Sequence, residues 1–148
     1  MADDPTIPNG SLLFRRIPAD VNYIVWDSTT KTYKLSSQAF RNLQKNPPAF
    51  SVNIECVLQE LGLAIDSVIK DPTRYGLIGL PCALVRQHNQ AVEKHPEPDD
   101  PSHGHVVGDK PKPVVRAFIQ AATVANEIQW VIPPPGWPWP PGGNPEPI

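Results

Sequence analysis

An α+β domain, with an antiparallel or mixed sheet of about five strands packed by two main helices, is what this sequence predicts. Three observations lead there. Short β-rich runs open the chain, two later segments carry apolar residues at helical spacing, and prolines interrupt everything between them. The 148 residues suit one domain, with 40% hydrophobic residues for a packed interior and 19% charged. Twenty residues are proline, against a usual share of about 5%. Eight of the twenty follow Ile132, so the excess belongs to a tail and to loops rather than to the core.

The first ten residues are short, polar and proline-bearing, and they predict a disordered start before a domain over residues 11–132. Residues 11–17 and 22–27 are β-rich runs joined by a loop at Pro18, and Tyr33, Lys34 and Leu35 form a third extended piece. Ser36 or Ser37 can cap a helix through Leu43, which Pro47 and Pro48 stop. Residues 54–70 carry Ile54, Val57, Leu58, Leu61, Ile65, Val68 and Ile69 at three- and four-residue steps, the pattern of a long helix, with its first turn open because residues 50–54 also alternate like a strand, Phe50, Val52 and Ile54 on one face. Residues 75–85 read as a strand bent at Gly76, Gly79 and Pro81, where another backbone comes close. Residues 93–113 are a charged, proline-rich loop around a short extended segment, 103–107. Pro113 starts a helix to about Asn126 with Val114, Val115, Phe118, Ile119 and Ala122 on one face, and residues 128–132 form a last strand.

Composition excludes several classes of function. Thirteen basic residues against fifteen acidic ones leave a net charge of -2, and no run of Lys and Arg forms a stripe able to track a phosphate backbone. Nucleic acid is therefore not the expected partner. The acidic start lacks the pattern of a signal peptide, and no stretch of eighteen apolar residues occurs, so neither secretion nor a membrane is expected. Cys56 and Cys82 lie in apolar surroundings and fit free thiols in a reducing cytoplasm, although one disulfide between them is compatible with the sequence.

His103 and His105 stand two residues apart, which on a strand turns both imidazoles to one face. Two ligands fall short of the three protein donors a zinc site needs, and a third would have to come from His95, Asp99, Asp100 or a cysteine. The chain is therefore expected to carry no stoichiometric metal and no cofactor. Either histidine could instead act as a general base, with Arg16, Arg86 or Lys110 stabilising negative charge. No G-x-S-x-G, P-loop, H-E-x-x-H or paired C-x-x-C occurs.

An arginine on the first strand (Arg15 or Arg16), the Ser36–Ser37 pair after a short strand, and a glutamate near an apolar extended segment (Glu55 or Glu60) follow one another over residues 11–60. This order resembles that of the ADP-ribosyltransferase folds and of RES-type NAD-consuming toxins. The resemblance implies that Arg16 would hold dinucleotide phosphates, Ser36 would shape a nicotinamide pocket and Glu55 would act on the ribose. Read as ordinary residues, the arginines are strand-edge charges, Ser37 a helix cap and Glu55 a first-turn acid.

The tail, residues 133–148, holds Trp137 and Trp139 among prolines and should favour polyproline II. The two tryptophans either fold back over an apolar groove or anchor a protein partner, and a short tether favours folding back. A chain ending at Ile132 is expected to keep its cooperative transition. The function expected is a small binding or protein-interaction domain, with the NAD-using transferase or hydrolase as the alternative.

Overall fold

Two features of β1 (Leu12–Pro18) set the architecture: its side chains alternate between two apolar faces, and it has a strand on either side. The computed structural model describes residues 2–142. After β1 come the hairpin β2 (Ile24–Asp27) and β3 (Thr32–Leu35), a 3-10 turn over Ser37–Phe40, the two-residue β4 (Gln44–Lys45), and β5 (Pro48–Ile54). Then follow α1 (Glu55–Leu61), a second 3-10 turn (Ile65–Val68), β6 (Tyr75–Pro81), α2 (Cys82–Gln87), β7 (Ala91–Lys94) and β8 (His103–Val107). The chain continues through α3 (Lys112–Ala121), the short hairpin β9 (Thr123–Val124) and β10 (Glu127–Ile128), and β11 (Trp130–Ile132). The main sheet has seven strands, in the order β11-β6-β1-β5-β8-β7 with β4 beside β5, and all its pairs are antiparallel.

On one face of the sheet Leu13 and Ile17 of β1 meet Phe50, Val52 and Ile54 of β5, Val85 from α2 and Phe118 from α3 in the larger core. On the other face Phe14 and Leu77 pack with Leu58 of α1 and Val68 of the second 3-10 turn. The α+β class read from the sequence is the class observed. The sheet's strands differ from the five or so expected: β2 and β3 pair only with each other, while β4, β5 and β7 join β1, β6, β8 and β11 in the main sheet.

The helices are shorter than their apolar periodicity implied. The helix expected over residues 54–70 ends at Leu61, because Gly62 adopts the left-handed conformation (φ 65°) and its N–H closes back on Leu58 and Gln59. Leu61 and Ile65, which continued the periodic pattern, are exposed. The strand expected over residues 75–85 stops at Pro81, and the residues after it form α2. At Gly76 a side chain has no room, since a Cβ there would lie 2.9 Å from the Pro134 nitrogen. The segment after Ser36 makes a single 3-10 turn instead of a helix to Leu43. The last helix ends at Ala121 rather than Asn126, and positive φ at Ala125 (51°) and Asn126 (66°) turns the chain into the β9–β10 hairpin.

Both ends of the described chain are packed. Ile7 is fully buried in the larger core, Asp4 N–H donates to Val92 O (2.8 Å), and the Arg86 guanidinium reaches Asp3, Asn9 and the Asp4 carbonyl. Arg86 thus explains why residues 2–10, expected to be disordered, are held; Met1 lies outside the described residues. At the other end Trp139 is 7% exposed, and its indole N–H donates to Pro135 O (3.0 Å). Tyr33 donates from its hydroxyl to Pro140 O (2.7 Å), and its ring meets Trp26, Trp137 and Trp139 edge-on at 5.0, 5.7 and 5.5 Å. The tail through Gly142 is part of the folded unit, while residues 143–148 lie outside the described residues. No helix of the described residues is long and apolar enough to cross a membrane.

Candidate functional site

α3 lies against the sheet through Phe118, whose ring sits edge-on to Phe40 at 5.7 Å and to Phe50 at 6.3 Å. That contact leaves Val115 and Ile119, the half-buried flank of the same helix, facing the 3-10 turn across a cleft of about 630 Å³. Phe40, Val115 and Ile119 supply its apolar surface. Arg41 and Lys45 enter from the segment after the 3-10 turn, Lys110 from the loop before α3, and Lys112 and Arg116 from α3 itself. Among the described residues no carboxylate lines the cleft. Asp109, the neighbour of Lys110 in the chain, lines a different depression.

Arg41, Lys45, Lys112 and Arg116 are exposed, and among the described residues none of the four side chains makes a hydrogen bond or an ion pair. Lys112 and Arg116 stand four residues apart on one helix face, where like charges cost a few tenths of a kcal/mol. The ensemble is therefore positive without internal compensation.

Lys110 plays a different part. Its ammonium uses all three donors, to Asn42 Oδ1 (2.6 Å), Gly108 O (2.8 Å) and Val106 O (3.1 Å), and lies 4.9 Å from the centre of the Phe50 ring. Burial lowers its pKa to about 8, with Asp109 opposing the fall and Arg15 adding to it. Arg15 stands 5.0 Å from the centre of the same ring and donates to Ala39 O and Ser51 O, each at 3.0 Å. Burial pushes its guanidinium down to about 10, still charged at neutral pH. Lys110 in the lining and Arg15 behind the Phe50 ring thus raise the positive potential of a cleft already rimmed by four cations.

Arg16, Ser36 and Glu55 are not brought together. Arg16 shares the sheet face of Phe14, and its guanidinium lies 5.9 Å from the centre of the Tyr75 ring. Ser36 belongs to the opposite face, where it accepts from Gln38 N–H (3.2 Å) and donates to Asn22 O, capping the 3-10 turn. Glu55 opens α1 and accepts the Leu12 N–H through Oε1 (3.1 Å). Leu12 is four residues, about 13 Å of extended strand, from Arg16.

His103 and His105 do share a face of β8, and His95 joins them, with ring centres 5.1 Å (His103–His105) and 4.2 Å (His95–His105) apart. His103 contacts Ser51 Oγ through Nε2 (3.1 Å) and His95 O through Nδ1 (2.9 Å), and Glu97 Oε1 stands 3.4 Å from Nδ1. Burial, then His95 and His103, pushes the His105 imidazole below its ordinary value. Among the described residues no group of three or more His, Cys, Asp or Glu side chains is placed to hold a metal ion. Arg86 is occupied by the N-terminal segment, which leaves Lys110 as the one proposed charge stabiliser that lines the cleft.

Comparison with protein-family models, curated proteins and solved structures gives no match. Of the five cations that line the cleft, the sequence singles out Lys110 alone. The others come from segments 41–45 and 112–116, whose isolated cations carry no pattern until Phe118 docks between Phe40 and Phe50.

Proposed function

We propose that this domain binds a small organic polyanion, a phosphorylated compound with an apolar or ring-bearing body, in the cleft between the 3-10 turn and α3. One observation carries the reading: four exposed cations without partners surround an apolar floor with no carboxylate among the lining residues. The cleft volume falls in the range of small-molecule sites, roughly 300–1,000 Å³. Phosphate groups would take the exposed Arg41 and Arg116 guanidiniums, each able to make paired charge-assisted hydrogen bonds, while a ring would lie on Phe40, Val115 and Ile119. The free thiols of Cys56 and Cys82 support placing the domain in a reducing cytoplasm. The NAD-using alternative gains no support from the separate positions of Arg16, Ser36 and Glu55. A protein partner anchored by Trp137 and Trp139 would have to displace contacts that both rings make within the domain.

Calorimetric titration with inorganic pyrophosphate and with ADP tests the reading. Both are expected to bind, ADP more tightly because its ring adds apolar contact. Arg41→Ala and Arg116→Ala are each expected to weaken binding about tenfold, the loss typical of a charge-assisted hydrogen bond. Affinity should also fall as pH rises through about 8, because Lys110 is positive below that value and neutral above it. Equal affinity in the wild type and the double variant would rule the cleft out.

A further inference from the structure

On the opposite side of β4 and β5 from the cleft, Ser51, His95, Glu97, His103 and His105 line an open cavity of about 530 Å³. β4 divides the two sites, with Lys45 turned to the cleft and Gln44 to this cavity. The hydrogen bonds of His103 fix its tautomer. Nδ1 faces two oxygens, the His95 carbonyl at 2.9 Å and a Glu97 carboxylate oxygen at 3.4 Å, and a carbonyl oxygen can only accept. Nδ1 therefore carries the ring proton. In the neutral ring this leaves Nε2 its lone pair, and Ser51 Oγ, 3.1 Å away, donates to it. A serine hydroxyl donating to an imidazole whose far nitrogen is oriented by a carbonyl and a carboxylate is the arrangement that activates a nucleophile.

The backbone holds these groups in place. Ser51 is on β5 between two buried residues of the strand, and His103 is on the adjacent β8, so both side chains stand on ladder positions rather than on a loop. His103 is 9% exposed, while Ser51 is half-buried and open to the cavity. His105 pairs directly with Ser51 across the ladder and lines the same cavity. Its lowered pKa keeps that ring neutral, with one N–H to offer to a developing oxyanion.

We propose that Ser51 and His103 form a nucleophile and general-base pair able to cleave esters of small acyl groups. Ser51 Oγ attacks the acyl carbon as its proton passes to His103 Nε2. The bond to the alkoxy oxygen breaks, and that oxygen leaves with the proton from His103. Water then attacks the acyl-Ser51 ester, giving its proton to His103, which returns one to Ser51 Oγ as the carboxylic acid departs. The pair is independent of anion binding in the cleft, so failure of either reading leaves the other standing.

The test uses an alkyl fluorophosphonate, which phosphonylates an activated serine with loss of fluoride, on the full chain. Intact mass and peptide mapping are expected to find one adduct, on Ser51. The adduct should be absent in Ser51→Ala, and His103→Gln should label at least about a hundredfold more slowly, the lower range of a general base's contribution. Hydrolysis of p-nitrophenyl acetate should fall in the same two variants. The wild-type reaction decides the question without relying on variants that fail to fold. Absence of a Ser51 adduct on folded wild-type protein, or labelling of folded His103→Gln at the wild-type rate, would overturn the proposal.

Discussion

Cutting the chain after Ile132 is expected to destabilise the domain by about 3–5 kcal/mol, the usual cost of losing one buried tryptophan, and to lower the thermal midpoint by roughly 10–15 °C. The reason lies in what residues 133–142 cover. Trp139 is 7% exposed and Pro134 is buried, and Trp137 bridges Trp130, Tyr33 and Trp139 at ring distances of 5.5, 5.7 and 5.3 Å. Removing them strips one side of Tyr33 and takes the acceptor, Pro140 O, from its hydroxyl. The sequence pointed to a dispensable tail because no periodic apolar segment follows Pro133, but two indole rings need no periodicity to seal a groove. Thermal unfolding of the truncated chain beside Trp139→Ala checks this result, and a midpoint unchanged within about 2 °C would contradict it.

Gly104→Ala is expected to cost about 3 kcal/mol, at the upper end of the usual range for overpacking. β8 runs between β5 and β7, and a Cβ at position 104 would lie 2.6 Å from Glu93 O and 2.6 Å from Ile54 Cδ1. The first neighbour is backbone of the adjacent strand and cannot swing aside. The second belongs to a side chain that is fully buried. Relief therefore requires β8 to move away from β7, which would also shift His103 and His105 on either side. Urea unfolding is the measurement, and a midpoint equal to that of the wild type would show that the strands yield easily.

The class of fold was legible because it depends on local pattern. β1, β2, β3 and the 103–107 strand announce themselves through β-rich or alternating residues, and Pro113 falls in the first turn of α3. Where local pattern and backbone chemistry disagree, the backbone decides. Gly62 ends α1 in the middle of an unbroken apolar repeat, and Pro81 ends β6 within a continuous apolar run. The N-terminal segment was unreadable for a third reason: Arg86, some eighty residues away, supplies the bonds that hold it.

The two sites were legible to different degrees. His103 and His105 stood out by their spacing, yet Ser51 did not, since its relation to His103 depends on the register that sets Asn53 against His103 and Ser51 against His105. The cleft was hidden more thoroughly. An overall charge of -2 and the lack of any basic run gave no hint of a cluster assembled from positions as far apart as 41 and 116.

Binding of an anion between the 3-10 turn and α3 is read residue by residue through amide chemical-shift mapping of isotopically labelled protein titrated with pyrophosphate. The shifts should concentrate in residues 37–45 and 110–119, saturate with added pyrophosphate and diminish in the Arg41→Ala, Arg116→Ala double variant. Shifts that map to another surface, or a spectrum that does not change, would show that the cleft is not an anion site.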